Sequence, residues 1–276
     1  MPLFSRSDGK LVKNESPVRL IMPYLMRGRN ESVVYHAARY DLTKTLPWLA
    51  QQNADGKKVT LFHLMLHAFT RAIYERPGLN RFVSGGNIYQ RDQVSVAFAA
   101  KKQFADDAPI ITVKLNMGGD DTFAQVIERV SGSVSGARGG KTNKAVDTEL
   151  KLALALPGPI TSLVVSFLRW LDRVNLLPGS MIANDPLYSS LFVANLGSIG
   201  IDDVYHHLYE YGTTSLFAAI GRVEKGVFVD ENGAPVVREA VKVSWTFDER
   251  INDGFYCASS LKIAQKIVED PATWVR

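Results

Sequence analysis

The chain has 276 residues, of which 46% are hydrophobic, 10% aromatic and 22% charged, enough apolar matter for a sizeable core and too much for a disordered chain. Lysine and arginine number 32 against 28 acidic residues; this net charge of +4 is spread along the chain and excludes nucleic-acid binding through a basic stripe. The single cysteine, Cys257, excludes a disulfide framework and any CxxC metal or redox site.

Met1 to Lys13 carries charged and polar residues throughout, so no secretory signal is expected and the expected location is cytoplasmic. Ser32 to Tyr40 reads as a strand and Leu42 to Gln52 as a short helix, followed by an Asp55-Gly56 turn. Thr60 is the expected N-cap of a strong helix to Arg76, with Phe62, Leu66, Phe69 and Ile73 on one face and Pro77-Gly78 as its stop. Arg81 to Gln90 predicts a hairpin around Gly85-Gly86, and Gln93 to Ala100 the next strand. Ile110 to Leu115 predicts another strand and Thr122 to Val134 another helix.

Gly132 to Asn143 is rich in Gly, Ser and Lys and reads as a surface loop. Its Lys141-Thr142 does not satisfy the spacing of a phosphate-binding P-loop. Helices are expected around Lys144 to Leu156 and Ile160 to Leu177. The second carries an apolar stripe through Leu163, Val164, Phe167, Leu171 and Val174. Pro157, Pro159, Arg169, Asp172 and Arg173 interrupt the apolar stretch from Leu152 to Leu177, so it is not a membrane span; for the helix, packing on the core or on a neighbouring subunit is the first expectation. A membrane-surface or partner-docking role is the second.

Strands are expected at Ser190 to Ala194, Ser215 to Val223, Gly226 to Asp230 and Val236 to Phe247, then a helix from Phe255 to Glu269. No linker divides the chain. The pattern is α+β, one domain over residues 1–276, with a mixed or antiparallel sheet flanked by helices.

Two stretches concentrate chemistry. Asp248-Glu249-Arg250-Ile251-Asn252-Asp253-Gly254 places three acids, an arginine and a glycine between a strand and a helix. A carboxylate buried at such a turn gains basicity, whereas the plainer reading is an Asp248–Arg250 ion pair with Asp253-Gly254 starting the helix. Phe192 to Gly200 runs a buried strand into a turn with two glycines, where Asn195 offers both a side-chain donor and an acceptor.

Together these stretches resemble the catalytic domain of the dihydrolipoamide acyltransferases of the 2-oxo-acid dehydrogenase complexes, which shares the chloramphenicol acetyltransferase-like fold. Asp248, Arg250, Asp253 and Gly254 match that family's Asp-His-Arg-x-x-Asp-Gly. Asn195, Leu196, Gly197 and Gly200 match its Ser-Asn-Leu-Gly-x-x-Gly. Arg76 to Asn80, Val94 to Ala97 and Tyr40 to Thr43 resemble further family segments, so the likeness runs from about Arg19 to Val268. Leu150 to Ser180 has no counterpart and reads as part of a helical insertion at about 140–185.

The resemblance implies a homotrimer with active sites between subunits, and in larger relatives a hollow cage. It implies acyl transfer with coenzyme A or acyl-CoA as a substrate, not a covalently bound cofactor. It also implies no lipoyl or subunit-binding domain within these residues. In the family a histidine deprotonates the thiol and a hydroxyl stabilises the oxyanion; here Glu249 and Ala194 stand at those positions. The candidate site residues are therefore Glu249 as an atypical base, Arg250 and Asp253 as its supports, and Asn195 at the oxyanion, with Ser198 as an alternative donor. Lifting a glutamate from its ordinary 4.3 to neutrality by burial costs about 3.7 kcal/mol, and losing one oxyanion donor costs about 100- to 1000-fold in rate. Altered or impaired catalysis is thus one expectation, and a catalytically silent trimer or cage, a pseudoenzyme, is the other.

The remaining candidates are weaker. His63 and His67 are spaced to chelate a metal on one helix face but lack the glutamate of HExxH, so they read as helix-surface residues. His206 and His207, with Asp203, are adjacent histidines expected to point apart, in a tyrosine-rich packing segment. His36 reads as a structural strand residue. No metal is expected.

Overall fold

The computed structural model describes residues 4–54, 56–101, 110–138 and 155–275. The strands are β1 (Gly9–Leu11), β2 (Val33–Asp41), β3 (Arg81–Ser84), β4 (Asn87–Arg91), β5 (Val94–Lys101), β6 (Ile110–Met117), β7 (Leu191–Asn195), β8 (Leu216–Val229) and β9 (Pro235–Asp248). The helices are α1 (Pro17–Leu25), α2 (Thr45–Gln52), α3 (Leu61–Glu75), α4 (Phe123–Arg138), α5 (Gly158–Arg173), α6 (Gly179–Asn184), α7 (Gly254–Glu269) and α8 (Pro271–Trp274).

Six strands form the main sheet in the order β2-β9-β8-β7-β5-β6. β7 runs parallel to both β8 and β5, and the other neighbours are antiparallel, so the sheet is mixed as expected. A small antiparallel sheet, β1-β4-β3, carries the Gly85-Gly86 turn at its tip.

The period-two pattern of the central strands sorts their side chains onto two faces. Leu191 and Val193, Leu216, Ala218 and Ile220, and Val241, Val243, Trp245 and Phe247 all enter the main core with α3 and α7. Phe192, Phe217 and Ala219 point the other way, where Leu208 of the strap at residues 201–214 covers them. Ser244 and Thr246 share that second face and tie the strap down: Ser244 donates to the Asp203 carboxylate at 2.5 Å and Thr246 to the His206 carbonyl at 2.5 Å.

Several local expectations change. The stretch from Gly132 to Arg138 continues α4 rather than opening a loop; residues 139–143 of the expected loop, and residues 144–154 of the helix expected at Lys144 to Leu156, lie outside the described residues. Helix α5 stops at Arg173, not Leu177, because Asn175 turns left-handed at φ 63°. The two strands expected between Ser215 and Asp230 are one, β8, with a bulge between Ile220 and Val223. Strand β1 and helices α1 and α6 are short elements that the pattern did not announce.

His63 and His67 are buried, not on the helix surface. Thr60 caps α3 as expected, and His63 closes the cap by accepting the Thr60 amide on Nδ1 at 3.1 Å. His67 packs edge-on to Phe123 at 5.5 Å. His206 and His207 do not point apart but stack at 4.9 Å, with the His206 ring flat on Phe217 at 3.9 Å, in the irregular strap. His36 is exposed on edge strand β2. Among the described residues no group of three His, Cys, Asp or Glu side chains is arranged to hold a metal, and no helix is long and apolar enough to cross a membrane.

Candidate functional site

The turn from Asp248 to Gly254 is built around a fully desolvated ion pair. Asp248 and Arg250 are 0% and 2% exposed, and the arginine grips the carboxylate with two donors, Nε to Oδ1 at 2.8 Å and Nη2 to Oδ2 at 2.7 Å. Its third nitrogen donates to the carbonyls of Met26 at 2.9 Å and Arg27 at 3.3 Å, just past α1. The Asn252 amide donates to the Gly78 carbonyl at 2.6 Å, tying the turn to the end of α3. Asp253 then caps α7, its Oδ1 accepting the Tyr256 amide at 2.7 Å. The charged groups of Asp248, Arg250 and Asp253 are all engaged within the turn and its flanks.

Glu249 rides on this turn and is half-buried. Its main chain is held on both sides: its amide donates to the Ser32 carbonyl at 2.9 Å, and its carbonyl accepts from Arg19 Nη1 at 2.6 Å. Arg250 and Asp253 therefore hold the backbone that presents Glu249 and spend their own charged atoms elsewhere. Cys257, one turn into α7, is buried, and burial pushes its thiol up to about 12, which rules it out as a nucleophile near neutral pH.

The second turn is more open. Ala194 and Asn195 are half-buried at the end of β7, and Ser198 is exposed, donating to the Asn195 carbonyl at 2.7 Å. Gly197 is required by packing, because a Cβ there would overlap the Gly221 carbonyl oxygen of β8. Gly200 is required by conformation, with φ at 76°.

Strand register fixes how the two turns relate. Leu191, Leu216 and Phe247 lie level across β7, β8 and β9. Asn195 stands four residues above that level and Glu249 two residues below it, about 20 Å apart along the strands at roughly 3.3 Å per residue. Within one chain the two candidate groups are at opposite ends of the sheet, and no single site contains both. Sequence spacing carried no signal of this, since parallel and antiparallel neighbours place the same motifs at the same end or at opposite ends.

Sequence reasoning also missed the arginine clamp beneath α5. Arg6 donates through Nε to Asp8 at 2.7 Å and pairs through Nη2 with Asp172 of α5 at 2.9 Å; its Nη1 donates to Ser84 Oγ at 3.0 Å. Only the tertiary structure brings residues so far apart in sequence together.

The mixed six-stranded sheet with helices on one face and a strap on the other is the chloramphenicol acetyltransferase-like fold. A solved chloramphenicol acetyltransferase superposes with a TM-score of 0.52 at 14% identity, covering 95% of this chain and 98% of that one. A probable dihydrolipoamide acetyltransferase from Listeria monocytogenes 4b F2365 gives 0.61 at 16% identity over 95% of both chains. The cubic core of the pyruvate dehydrogenase multienzyme complex gives 0.63 at 15% identity over 95% and 93%. At these identities the likeness is one of fold. More particularly, the family model for 2-oxoacid dehydrogenases acyltransferase (catalytic domain) matches residues 179–276, the segment that contains both turns. No curated protein sequence matches the chain.

Proposed function

We propose that the chain is an acyltransferase of the 2-oxoacid dehydrogenase catalytic-domain type, working as a homotrimer whose active sites lie between copies. The observation that carries this reading is the family match over residues 179–276 together with the separation of its two motif turns to opposite ends of the sheet. Two such half-sites become one only when the Glu249 end of one copy meets the Asn195 end of another. Self-assembly also fits the fold's occurrence in the cubic core of a pyruvate dehydrogenase complex.

In this reading acyl-CoA and an acceptor thiol meet at the junction. The Glu249 carboxylate takes the proton of the attacking thiol as sulfur attacks the thioester carbonyl. The Asn195 amide then donates to the oxygen of the tetrahedral intermediate. Collapse breaks the original carbon–sulfur bond, and the proton passes from Glu249 to the departing thiolate, leaving one thioester and one free thiol. The Asp248–Arg250 pair and the Asp253 cap keep the Glu249 backbone in place throughout.

A second reading, a catalytically silent trimer or cage of the same fold, is favoured by Glu249 and Ala194 standing where the family resemblance calls for a histidine and a hydroxyl. An acyl-CoA turnover assay with light scattering separates the two. A trimer that turns over acyl-CoA, with Glu249→Gln slowed about 100-fold or more, supports the enzyme. Equal rates for the two proteins remove Glu249 from the mechanism. No turnover and no coenzyme A binding by the wild type, with activity gained in a Glu249→His/Ala194→Ser variant, supports the silent scaffold.

A further inference from the structure

A cavity of about 660 Å3 opens between the end of α1, the β3–β4 hairpin and helix α5, a size suited to a small organic molecule. Its lining carries five arginines against two acids, Asp172 and Glu210. Arg29 forms the floor, 5% exposed, and donates only to main-chain carbonyls: Gly212 at 2.6 Å, Thr214 at 2.9 Å and Val83 at 3.4 Å. Arg27, Arg169 and Arg173 stand exposed at the rim, and among the described residues none of these four arginines enters an ion pair.

Of the other three charged lining residues, two are paired elsewhere and Glu210 keeps its negative charge. Arg250, which forms part of the wall, is spent on Asp248; Asp172 is spent on Arg6; Glu210 accepts the Asn30 amide at 3.0 Å. Burial lowers the Arg29 pKa, against the opposing attraction of Asp248. Two aromatic rings complete the lining, Tyr24 at 54% and Trp170 at 52% exposure.

We infer that this cavity binds a small organic oxyanion bearing a planar ring, an aryl phosphate or an aryl carboxylate. The guanidinium fork matches the paired oxygens of either anion, and the ring has Tyr24 and Trp170 to lie against. Helix α5 supplies Arg169, Trp170 and Arg173, and Arg250 is the one motif-turn residue in the lining, so displacement by coenzyme A is what tells this cavity from the acyl-transfer centre of the proposed function. The clamp from Arg6 to Asp172 fixes that helix against the hairpin and keeps the cavity formed.

The test is calorimetric titration of the full chain with phenyl phosphate, benzoate and inorganic phosphate. Saturable binding of phenyl phosphate or benzoate, about tenfold or more tighter than inorganic phosphate, is expected, and the preferred ligand of the two tells phosphate from carboxylate. Arg169→Ala/Arg173→Ala, both exposed and unpaired, should weaken binding about tenfold or more while melting like the wild type. Trp170→Ala should bring the ring-bearing ligand down to the level of inorganic phosphate, and Lys262→Ala on distant α7 should change nothing. The proposal is overturned if neither ring-bearing ligand saturates, or if their binding survives the double substitution. Displacement of the bound ligand by coenzyme A would also overturn it, by making the cavity part of the acyl-transfer site.

Discussion

The two motif turns differ in how tightly the fold grips them. The Asp248–Gly254 turn is held by a bidentate buried ion pair, an amide bridge from Asn252 to Gly78 and a helix cap, whereas the Ala194–Gly200 turn is half open and relies on two glycines. In the first, every charged residue except Glu249 is committed to the backbone or to a partner within the turn. Asp248, Arg250 and Asp253 thus hold the turn together. Glu249 and Ala194 are half-buried positions where a change of side chain costs the fold little.

The largest expected effect comes from breaking the gripped turn. Asp248→Ala strands the Arg250 guanidinium without its partner in a dry site and should cost about 3–5 kcal/mol in denaturant unfolding. A loss below about 1 kcal/mol would mean that the turn is not held by this pair. Acid tests the same half from behind, through α3, which packs on α7. Burial, helped by nearby Arg71, holds the His67 imidazole down to about 4, below its unfolded value of 6.5. The folded ring stays neutral while the unfolded chain takes up a proton, so stability falls as pH drops from 6.5 towards 4. The loss should be about 1–3 kcal/mol after allowing for partial solvation, and His67→Gln should flatten the profile over that window.

On the open turn, Gly197→Ala must push against the Gly221 carbonyl of β8 and should cost about 1–3 kcal/mol by thermal melting. A neutral result would show that β7 and β8 can separate at this end. Smaller still, Asp253→Ala removes the α7 cap for about 1 kcal/mol, while Asp253→Asn keeps the acceptor and should lie within a few tenths of wild type. At the bottom of the scale, Glu249→Gln should leave the unfolding free energy unchanged within about 0.5 kcal/mol, which makes it a clean probe of turnover.

Much of the fold was legible because the strong local signals agreed with the tertiary outcome. Thr60 and Pro77 bounded α3, Gly85-Gly86 turned the hairpin, and the alternation from Val241 to Phe247 gave the buried face of β9. The misreadings were places where tertiary burial overrode local character. His63 and His67 look like surface residues on a polarity scale, yet one closes a helix cap and the other packs on Phe123. The Gly- and Ser-rich stretch from Gly132 to Arg138 reads as a loop from propensity, but the helix begun at Phe123 carries through it.

By itself the sequence determined the α+β class, most element positions and the ion pair within Asp248–Arg250, because each depends on residues a few positions apart. Only the tertiary structure decided that the two motif turns stand about 20 Å apart at opposite ends of the sheet, since that follows from strand order and direction. It also decided that α5, clamped by Arg6, joins α1 and the hairpin around an arginine-lined cavity. Contacts between residues far apart in the chain are set by the packing of whole elements, and local pattern does not encode that packing.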